Sequence, residues 1–356
     1  MTLYSRVRPL AFKLPPERAH NVGKRTLRAA QSTMPTRAAL SYAYQYEHPA
    51  LEVERFGTTF PNPVGMAAGF DKNAEVTHAL EALGFGFVEI GTVTPYPQSG
   101  NERPRLFRLR EDRAMVNRMG FNGHGMERVR SRIERDGLPE IPLGVNVGKM
   151  NTSSESEAIE DYRRVFDRLS PYASYVVVNV SCPNTPDEFR ESSPEHLRRI
   201  FETLEAENDE GKPILVKIGP DSTIDSILEL VDIAREYGVD GIVATNTTIE
   251  RENLTSDGCD EWGGLSGDPL ADPSTRVIRS IAEHTDGDVP IVGVGGVDSA
   301  ERAYEKIRAG ASLVQLYTGF VYEGPSTAKR INRTLVEMLE RDGFSSVEDA
   351  VGADLE

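Results

Sequence analysis

The feature that most constrains the fold is an eightfold repetition. From residue 50 onward, short apolar runs of strand composition alternate with amphipathic helical stretches, and each run ends in a polar or glycine-rich cluster. Residues 64–68 lead into Gly69-Phe70-Asp71-Lys72-Asn73. Residues 87–91 lead to Thr92, and 142–149 carry Asn146. Residues 175–186 end in Asn179, Ser181, Cys182, Asn184 and Thr185, and 214–220 carry Lys217. Residues 241–247 end in Thr245-Asn246-Thr247, 289–296 in Gly295-Gly296, and 313–319 in Tyr317-Thr318-Gly319. Helical spacers are expected at 73–83, 155–169, 222–237, 273–285 and 299–309. Eight β/α units predict an α/β chain folded as a (β/α)8 TIM barrel, with a short N-terminal helical arm ahead of it. A doubly wound sheet is the competing architecture, but it needs no eightfold count. Barrels of this kind place their sites at the C-terminal ends of the strands, where every polar cluster falls.

Two insertions interrupt the repeat. Residues 51–60 alternate as a hairpin does and are placed to plug the barrel bottom. Residues 101–122 form a long excursion after the second strand, placed to lie across the top as a substrate-facing loop. The predicted organisation is an arm with linker over 1–48, a barrel over 49–343 and an acidic tail over 344–356 that reads as solvated.

Charge divides the chain. Its 56 acidic and 40 basic residues give a net −16, and only 8 of the basic residues are lysine. An acidic, lysine-poor surface points to work in high salt, where carboxylates stay hydrated; unfolding in dilute buffer is the matching observation. The balance argues against a nucleic-acid partner. In residues 1–37, by contrast, eight basic residues stand against Glu17 alone. Leu3, Tyr4, Val7, Leu10, Ala11 and Phe12 form an apolar stripe at helical spacing, and a second helix is expected after Pro15-Pro16. Two short basic amphipathic helices read as an element lying on an anionic membrane surface. The alternative is a basic cap docked on the acidic body. Residues 33–50, with Pro35 and Pro49, read as linker. No apolar run is long enough to cross a bilayer and the start lacks a signal-peptide core, so the expected location is the cytoplasmic side of the cell membrane, held peripherally. Two cysteines, Cys182 and Cys259, make no disulfide framework.

The clusters suggest their chemistry. Gly295-Gly296 after strand seven and Tyr317-Thr318-Gly319 after strand eight form the usual phosphate site of such barrels, so one ligand is expected to be phosphorylated. Lys217, near the end of a buried strand, must face an acceptor or an anion, either as a Schiff-base lysine or as a cation beside a reduced cofactor ring. Asn117, Asn146, Asn179, Asn184 and Asn246 suggest a flat, amide-bearing anion whose charge Lys72 pairs; the other reading of Lys72 is a surface ion pair with Asp71. No His, Cys and Asp cluster has ligand spacing, so no metal is expected. His78, His196 and His284 fall on helical spacers and read as surface residues.

Together the motifs resemble those of the dihydroorotate dehydrogenases, and of the class 2, membrane-associated, quinone-linked branch in particular. The resemblance covers nearly the whole chain. Its carriers include Pro16-Glu-Arg-Ala-His20, the run from Gly65 to Lys72, Glu89-Ile-Gly-Thr-Val-Thr-Pro95, Arg103-Pro-Arg-Leu-Phe-Arg108, Asn117-Arg-Met-Gly-Phe121, the run from Asn179 to Pro186, Ala244-Thr-Asn-Thr-Thr248, Gly263-Gly-Leu-Ser-Gly267 and Gly293-Val-Gly-Gly296.

The resemblance implies an FMN-containing barrel that oxidises dihydroorotate to orotate in pyrimidine (UMP) biosynthesis, with a membrane quinone as final acceptor. It implies FMN contacts at Ala68, Gly69, Phe70, Asp71, Lys72, Thr92, Asn146, Asn179, Lys217, Thr245, Gly267, Gly296, Tyr317 and Thr318. Substrate contacts are implied at Lys72, Asn117, Arg118, Met119, Gly120, Phe121, Asn179, Asn184, Asn246 and Thr247. Cys182 falls at the position of the catalytic base, with Lys217, Thr185 and Phe121 as further catalytic residues. Class 2 relatives usually carry serine where this chain has Cys182; cysteine there is the class 1 habit. Three other readings remain. One is a class 1-like enzyme using fumarate or NAD, one is a Schiff-base aldolase built on Lys217, and one is a non-enzymatic flavin-binding or membrane scaffold.

Overall fold

The computed structural model describes residues 3–180 and 193–355. Three helices come first: α1 (Leu3–Ala11), α2 (Pro16–Gln31) and α3 (Met34–Tyr44). A hairpin of β1 (Val53–Arg55) and β2 (Thr58–Phe60) follows, paired antiparallel. The barrel then runs β3 (Val64–Met66), α4 (Thr77–Ala82), β4 (Phe87–Val93), an excursion with β5 (Leu106–Leu109) and β6 (Ala114–Asn117), and α5 (Met126–Asp136). It continues with β7 (Leu143–Val147), α6 (Glu155–Leu169), β8 (Tyr175–Asn179), α7 (Pro194–Ala206), β9 (Ile214–Ile218), α8 (Ile224–Glu236) and β10 (Gly241–Ala244). The last elements are β11 (Gly264–Gly267), α9 (Ala271–His284), β12 (Ile291–Val294), α10 (Ala300–Arg308), β13 (Ala311–Leu316), α11 (Thr318–Glu323), α12 (Thr327–Asp342) and α13 (Val347–Ala350).

Strands β3, β4, β7, β8, β9, β10, β12 and β13 close into one parallel barrel, the (β/α)8 architecture expected from the repeat. Strands flanked by helices on one side and the barrel interior on the other are buried on both faces, which is why they read as continuous Val/Ile/Leu runs. The helices bury one stripe each. In α6 a capping box between Ser154 and Glu157 starts the helix, and Ala158, Ile159, Tyr162, Val165, Phe166 and Leu169 face inward.

Aromatic rings fill the barrel floor. A Cβ at Gly65 would sit 2.3 Å from the Phe87 ring, and one at Gly144 would sit 2.4 Å from the Tyr175 ring, so these glycines make the room the rings occupy. The hairpin closes the floor as predicted. Phe60 lies 5.2 Å from Phe87 and Phe56 lies 5.8 Å from Tyr175, centroid to centroid. At the other end, β5 and β6 of the excursion pair with β11 in a three-stranded antiparallel sheet.

Three sequence expectations need correction. Residues 33–50 are not all linker: α3 occupies 34–44, with the Thr33 hydroxyl accepting the Thr36 N–H. Pro35 lies in the first turn, where a helix needs no N–H from it. The tail is not simply solvated. Val347 and Ala350 are fully buried, Arg55 pairs with Glu348, and Arg308 binds Asp354. Its acidic residues, which suggested solvation, are capping and ion-pairing groups: the Asp349 carboxylate completes a capping box with Ser346. His196 is also buried, at 5% exposure, because it shares the inner face of α7 with Leu197, Ile200 and Phe201.

Candidate active site

A cavity of about 560 Å³ opens at the C-terminal ends of the barrel strands. One wall is the turn after β12 together with the start of α11. Gly295 and Gly296 adopt φ of +130° and +70°, a region that favours glycine. A Cβ on Gly296 would lie 2.4 Å from Ala271, and one on Gly319 would lie 2.2 Å from the Val297 carbonyl oxygen. Backbone therefore approaches the cavity closely on this side, as an anion cradle requires. Nearby, Ser266 and Thr318 hydroxyls are 2.8 Å apart. The Thr245 and Thr247 hydroxyls line the cavity and are buried without a partner among the described residues. Buried hydroxyls in that state fit a ligand that supplies the missing hydrogen bonds.

Opposite the cradle, carboxamides and a hydroxyl are linked side chain to side chain. Asn246 Nδ2 donates to Asn179 Oδ1 (3.2 Å), and Asn179 Nδ2 donates to Thr92 Oγ1 (3.0 Å). Thr92 donates to Asn146 Oδ1 (2.6 Å), and Asn146 Nδ2 donates to Glu89 Oε1 (2.9 Å). Lys217 is buried at 6% exposure, and strand register sets it directly beside Asn179.

Helix α2 forms the roof. Glu17, His20, Asn21, Lys24 and Arg28 recur at helical spacing and face the cavity. His20 packs edge-on against Phe70 at 5.2 Å and lies 6.3 Å from Tyr317. Burial, with the charges of Lys24 and Lys72, pushes its imidazole down to about 4, so it is neutral at pH 7. Glu17 takes ion pairs from Arg105 (2.9 Å) and Arg103 (3.0 Å). Burial alone would raise its carboxyl, and the two guanidiniums more than reverse that. Helix α1 is held by Tyr4 Oη donating to the Val321 carbonyl at 2.6 Å, and by Arg8 donating to that of Tyr322 at 2.8 Å. Phe12 lies under the Arg108 guanidinium.

The cavity brings together most of the residues singled out from sequence: Ala68, Gly69, Phe70, Lys72, Thr92, Asn117, Met119, Gly120, Phe121, Asn179, Lys217, Thr245, Asn246, Thr247, Gly267, Gly296, Tyr317 and Thr318. Three lie elsewhere. Asp71 is fully buried and turned away, pairing with Lys24 at 3.2 Å rather than with Lys72, and accepting the Val76 N–H at 2.7 Å. Arg118 binds Glu261 at 2.6 Å, between the Phe107 and Trp262 rings. Asn146 sits one layer deeper, beneath Thr92. Motif membership does not show which side of the backbone a residue takes, and neighbours in an extended segment point opposite ways. Cys182, Asn184 and Thr185 lie outside the described residues.

Sequence reading missed the inward polar stripe of α2, whose signal was the i, i+3, i+4, i+7 spacing of Glu17, His20, Asn21 and Lys24. It also missed β11, quoted only as a glycine motif, and gave Glu89 no role.

Fold and cavity together define a (β/α)8 barrel with a glycine-lined cradle at strands seven and eight and a helical roof. A family profile described as dihydroorotate dehydrogenase matches residues 50–339. The chain belongs to the dihydroorotate dehydrogenase family. It is 53% identical to a dihydroorotate dehydrogenase (quinone) of Halobacterium salinarum, over 99% of this chain and all of that one. It is 52% identical to one from Natronomonas pharaonis over the whole of both chains. A crystal structure of DHODH from Eimeria tenella in complex with ferulenol superposes with a TM-score of 0.87, at 38% identity and 95% coverage of each chain.

Proposed function

We propose that this protein oxidises dihydroorotate to orotate with a flavin, FMN, as hydride acceptor, and passes the electrons to a membrane quinone. The observation that carries the reading is the meeting, in one cavity, of a glycine cradle, a buried lysine and a linked set of carboxamides under a roof built by the arm. Relatives at about half identity over their full length are named for this activity.

The donor set fits FMN. Gly295, Gly296 and Thr318 would take the phosphate, and Lys217 and the Thr245 hydroxyl, which has no partner among the described residues, would lie toward the ring. Bound there, the flavin supplies the two-electron acceptor for the hydride leaving C6 of the substrate. The chain's own groups do the rest. Lys72 pairs with the substrate carboxylate. Asn117, Asn179, Asn246 and Thr247 bind the amide edge of the ring in one plane. Phe121, buried at 6% exposure, covers the reacting face against water. Cys182 takes the C5 proton as general base, its thiolate formed more readily than a serine alkoxide. Lys217 holds a positive charge where negative charge develops.

Val7, Leu10, Leu14 and Val22 are exposed on α1, α2 and the turn between them, at 48%, 64%, 42% and 51%. Exposed Arg6, Lys13, Arg18 and Arg25 flank them. This combination supports the arm resting on an anionic bilayer at the cytoplasmic face, with quinone reaching the flavin past neutral His20. No helix among the described residues is long and apolar enough to cross a membrane.

Cys182 favours a second reading, in which fumarate or NAD is the acceptor. The test is dihydroorotate oxidation by the purified yellow protein at high salt, with a short-chain quinone, fumarate and NAD in parallel. A fast rate with quinone alone supports the proposal. A fast rate with fumarate or NAD and a slow one with quinone replaces the acceptor. Colourless protein without dihydroorotate oxidation removes the reading altogether.

A further inference from the structure

Glu89 lies in the middle of β4, inside the barrel, with no exposed surface. It touches neither cradle nor roof and takes no part in the chemistry above. Both its oxygens accept: Oε1 from Asn146 Nδ2 at 2.9 Å, and Oε2 from Gln315 Nε2 at 2.7 Å. A carboxylate has no proton to donate, so this end of the network has no choice of direction. Asn146 must turn its amide nitrogen to Glu89 and its oxygen to Thr92. Thr92 must then donate to Asn146, which leaves its oxygen to accept from Asn179. Asn179 in turn offers its oxygen to Asn246. At the far end Asn246 Oδ1 accepts the Thr247 backbone N–H at 2.9 Å, and a backbone N–H can only donate. Every link from the cavity wall to the buried carboxylate runs in one direction.

We propose that Glu89 is a positioning residue that fixes the donor–acceptor polarity of the carboxamides at the cavity wall, and so determines which ring edge the site accepts. The inference rests on the reading of the cavity as a dihydroorotate and orotate site. A carboxamide can be flipped at little steric cost, and one facing the wrong way sets donor against donor. What prevents this is a fixed group at each end of the chain, the Thr247 N–H at the wall and the Glu89 carboxylate at the buried end, and only the latter can hold Asn146 and Thr92. Gln315 turns its amide nitrogen to the same carboxylate, which fixes the orientation of that side chain too.

Glu89→Gln removes the constraint without changing shape. The new carboxamide can accept from Asn146, or it can donate to Asn146 Oδ1 and let the links as far as Asn179 reverse, while Asn246 stays held by the Thr247 N–H. The readout is a ratio of affinities, measured by the shift of the flavin absorbance. One ligand is orotate; the other is its 4-amino analogue, which presents a donor where orotate presents a carbonyl. Loss of packing would weaken both ligands alike and leave the ratio unchanged. A loss of polarity changes the ratio.

The expected result is a fall of about tenfold in preference for orotate in E89Q, with FMN retained. The double variant E89Q/N146D moves the carboxylate one link along and again leaves Thr92 no choice but to donate; it should restore the preference to within threefold of the parent. A ratio in E89Q that stays within threefold of the parent, or no recovery in the double variant, overturns the proposal. Should E89Q give no yellow protein, the double variant decides: yellow protein with a restored ratio supports the role of Glu89, and its loss too refutes it. Failure of the parent to bind orotate would bring down the functional reading and this inference with it. A parent that binds, with an unchanged ratio in E89Q, removes only the role of Glu89.

Discussion

Lys24 is the hinge between arm and barrel, and its replacement by methionine is a strong test of how the roof is held. Its ammonium reaches Glu75 at 2.6 Å and Asp71 at 3.2 Å, and the three side chains are 13%, 18% and 0% exposed. At an effective dielectric constant of ~20, a pair at that longer distance attracts by about 5 kcal/mol. Desolvation offsets much of this. Stranding one partner of a buried pair nevertheless costs about 3–5 kcal/mol, because the orphaned charge stays buried. Asp71 keeps the Val76 N–H, so the lower end, about 3 kcal/mol, is expected for Lys24→Met. An unfolding entropy of ~2.1 cal/mol/K per residue, taken over the whole chain, converts that to a fall in Tm of about 4 °C. The pH dependence has a definite sign. Burial pushes the Glu75 carboxyl up, but Lys24 more than reverses it, so its folded value lies below the ordinary 4.5. That contribution is present above the unfolded value and is lost as pH falls through the folded one. Burial lowers the Lys24 ammonium, while Asp71 and Glu75 raise it further, above its ordinary 10.5. Its contribution is present below the unfolded value and is lost as pH rises through the folded one. The gap between parent and variant should therefore be flat from about pH 5 to 10 and close outside that range. The assay is thermal unfolding of the holoenzyme at several pH values, beside rates with quinone and with a soluble dye. Adding Asp71→Asn should recover part of the loss, since the fully buried carboxylate is then removed and Glu75 still has Arg28 and Arg132 within 4 Å. A Lys24→Met variant within 1 °C of the parent at pH 7 would refute the reasoning.

Three further outcomes test the site. Cys182→Ala should lower the rate of flavin reduction by about 10²-fold or more, with orotate affinity within a few-fold of the parent. Cys182→Ser should move the pH–rate profile to higher pH, and an unmoved profile in stopped-flow reduction would take the base role from Cys182. Gly296→Ala puts a Cβ 2.4 Å from Ala271 at a φ of +70°, so FMN content after gel filtration should fall well below the parent's. A stoichiometric FMN content would show that the cradle tolerates a side chain there.

The barrel was legible because its signal is local. A strand buried on both faces must be apolar along its length, and a polar cluster at its end can only sit at a rim. The same argument placed Lys217, Asn179 and Asn246 at the cavity. What was not legible depends on partners distant in sequence. The four residues of β11 show no alternation and become a strand because β6 pairs with them. Helix α3 begins at a pair of residues, Met34 and Pro35, that reads as a break until Thr33 is seen to cap it. Glu89 looks like one polar interruption in an apolar run. Its meaning arises only when β7 and β13 bring Asn146 and Gln315 to its two oxygens.

The sequence left open whether the arm is a basic cap docked on an acidic body or a basic surface facing a bilayer; the structure shows the docking, and the bilayer contact is the one proposed above. The arm's cations fall into two sets. Arg8 donates to the Tyr322 carbonyl and Lys24 binds Asp71 and Glu75, so these two hold the arm to the barrel. Arg6, Lys13 and Arg18 are exposed among the exposed Val7, Leu10, Leu14 and Val22, and Arg25 is exposed at the mouth of the cavity. Ion pairs as buried as those of Lys24 are screened little by salt, whereas attraction between exposed cations and a charged surface weakens steeply. Docking can therefore persist at ionic strengths that weaken the charge contribution to membrane contact, leaving the exposed apolar side chains to supply more of the attachment. The high-salt setting expected from the acidic, lysine-poor sequence would call for that division, because a roof held by exposed charges alone would loosen from the site it covers.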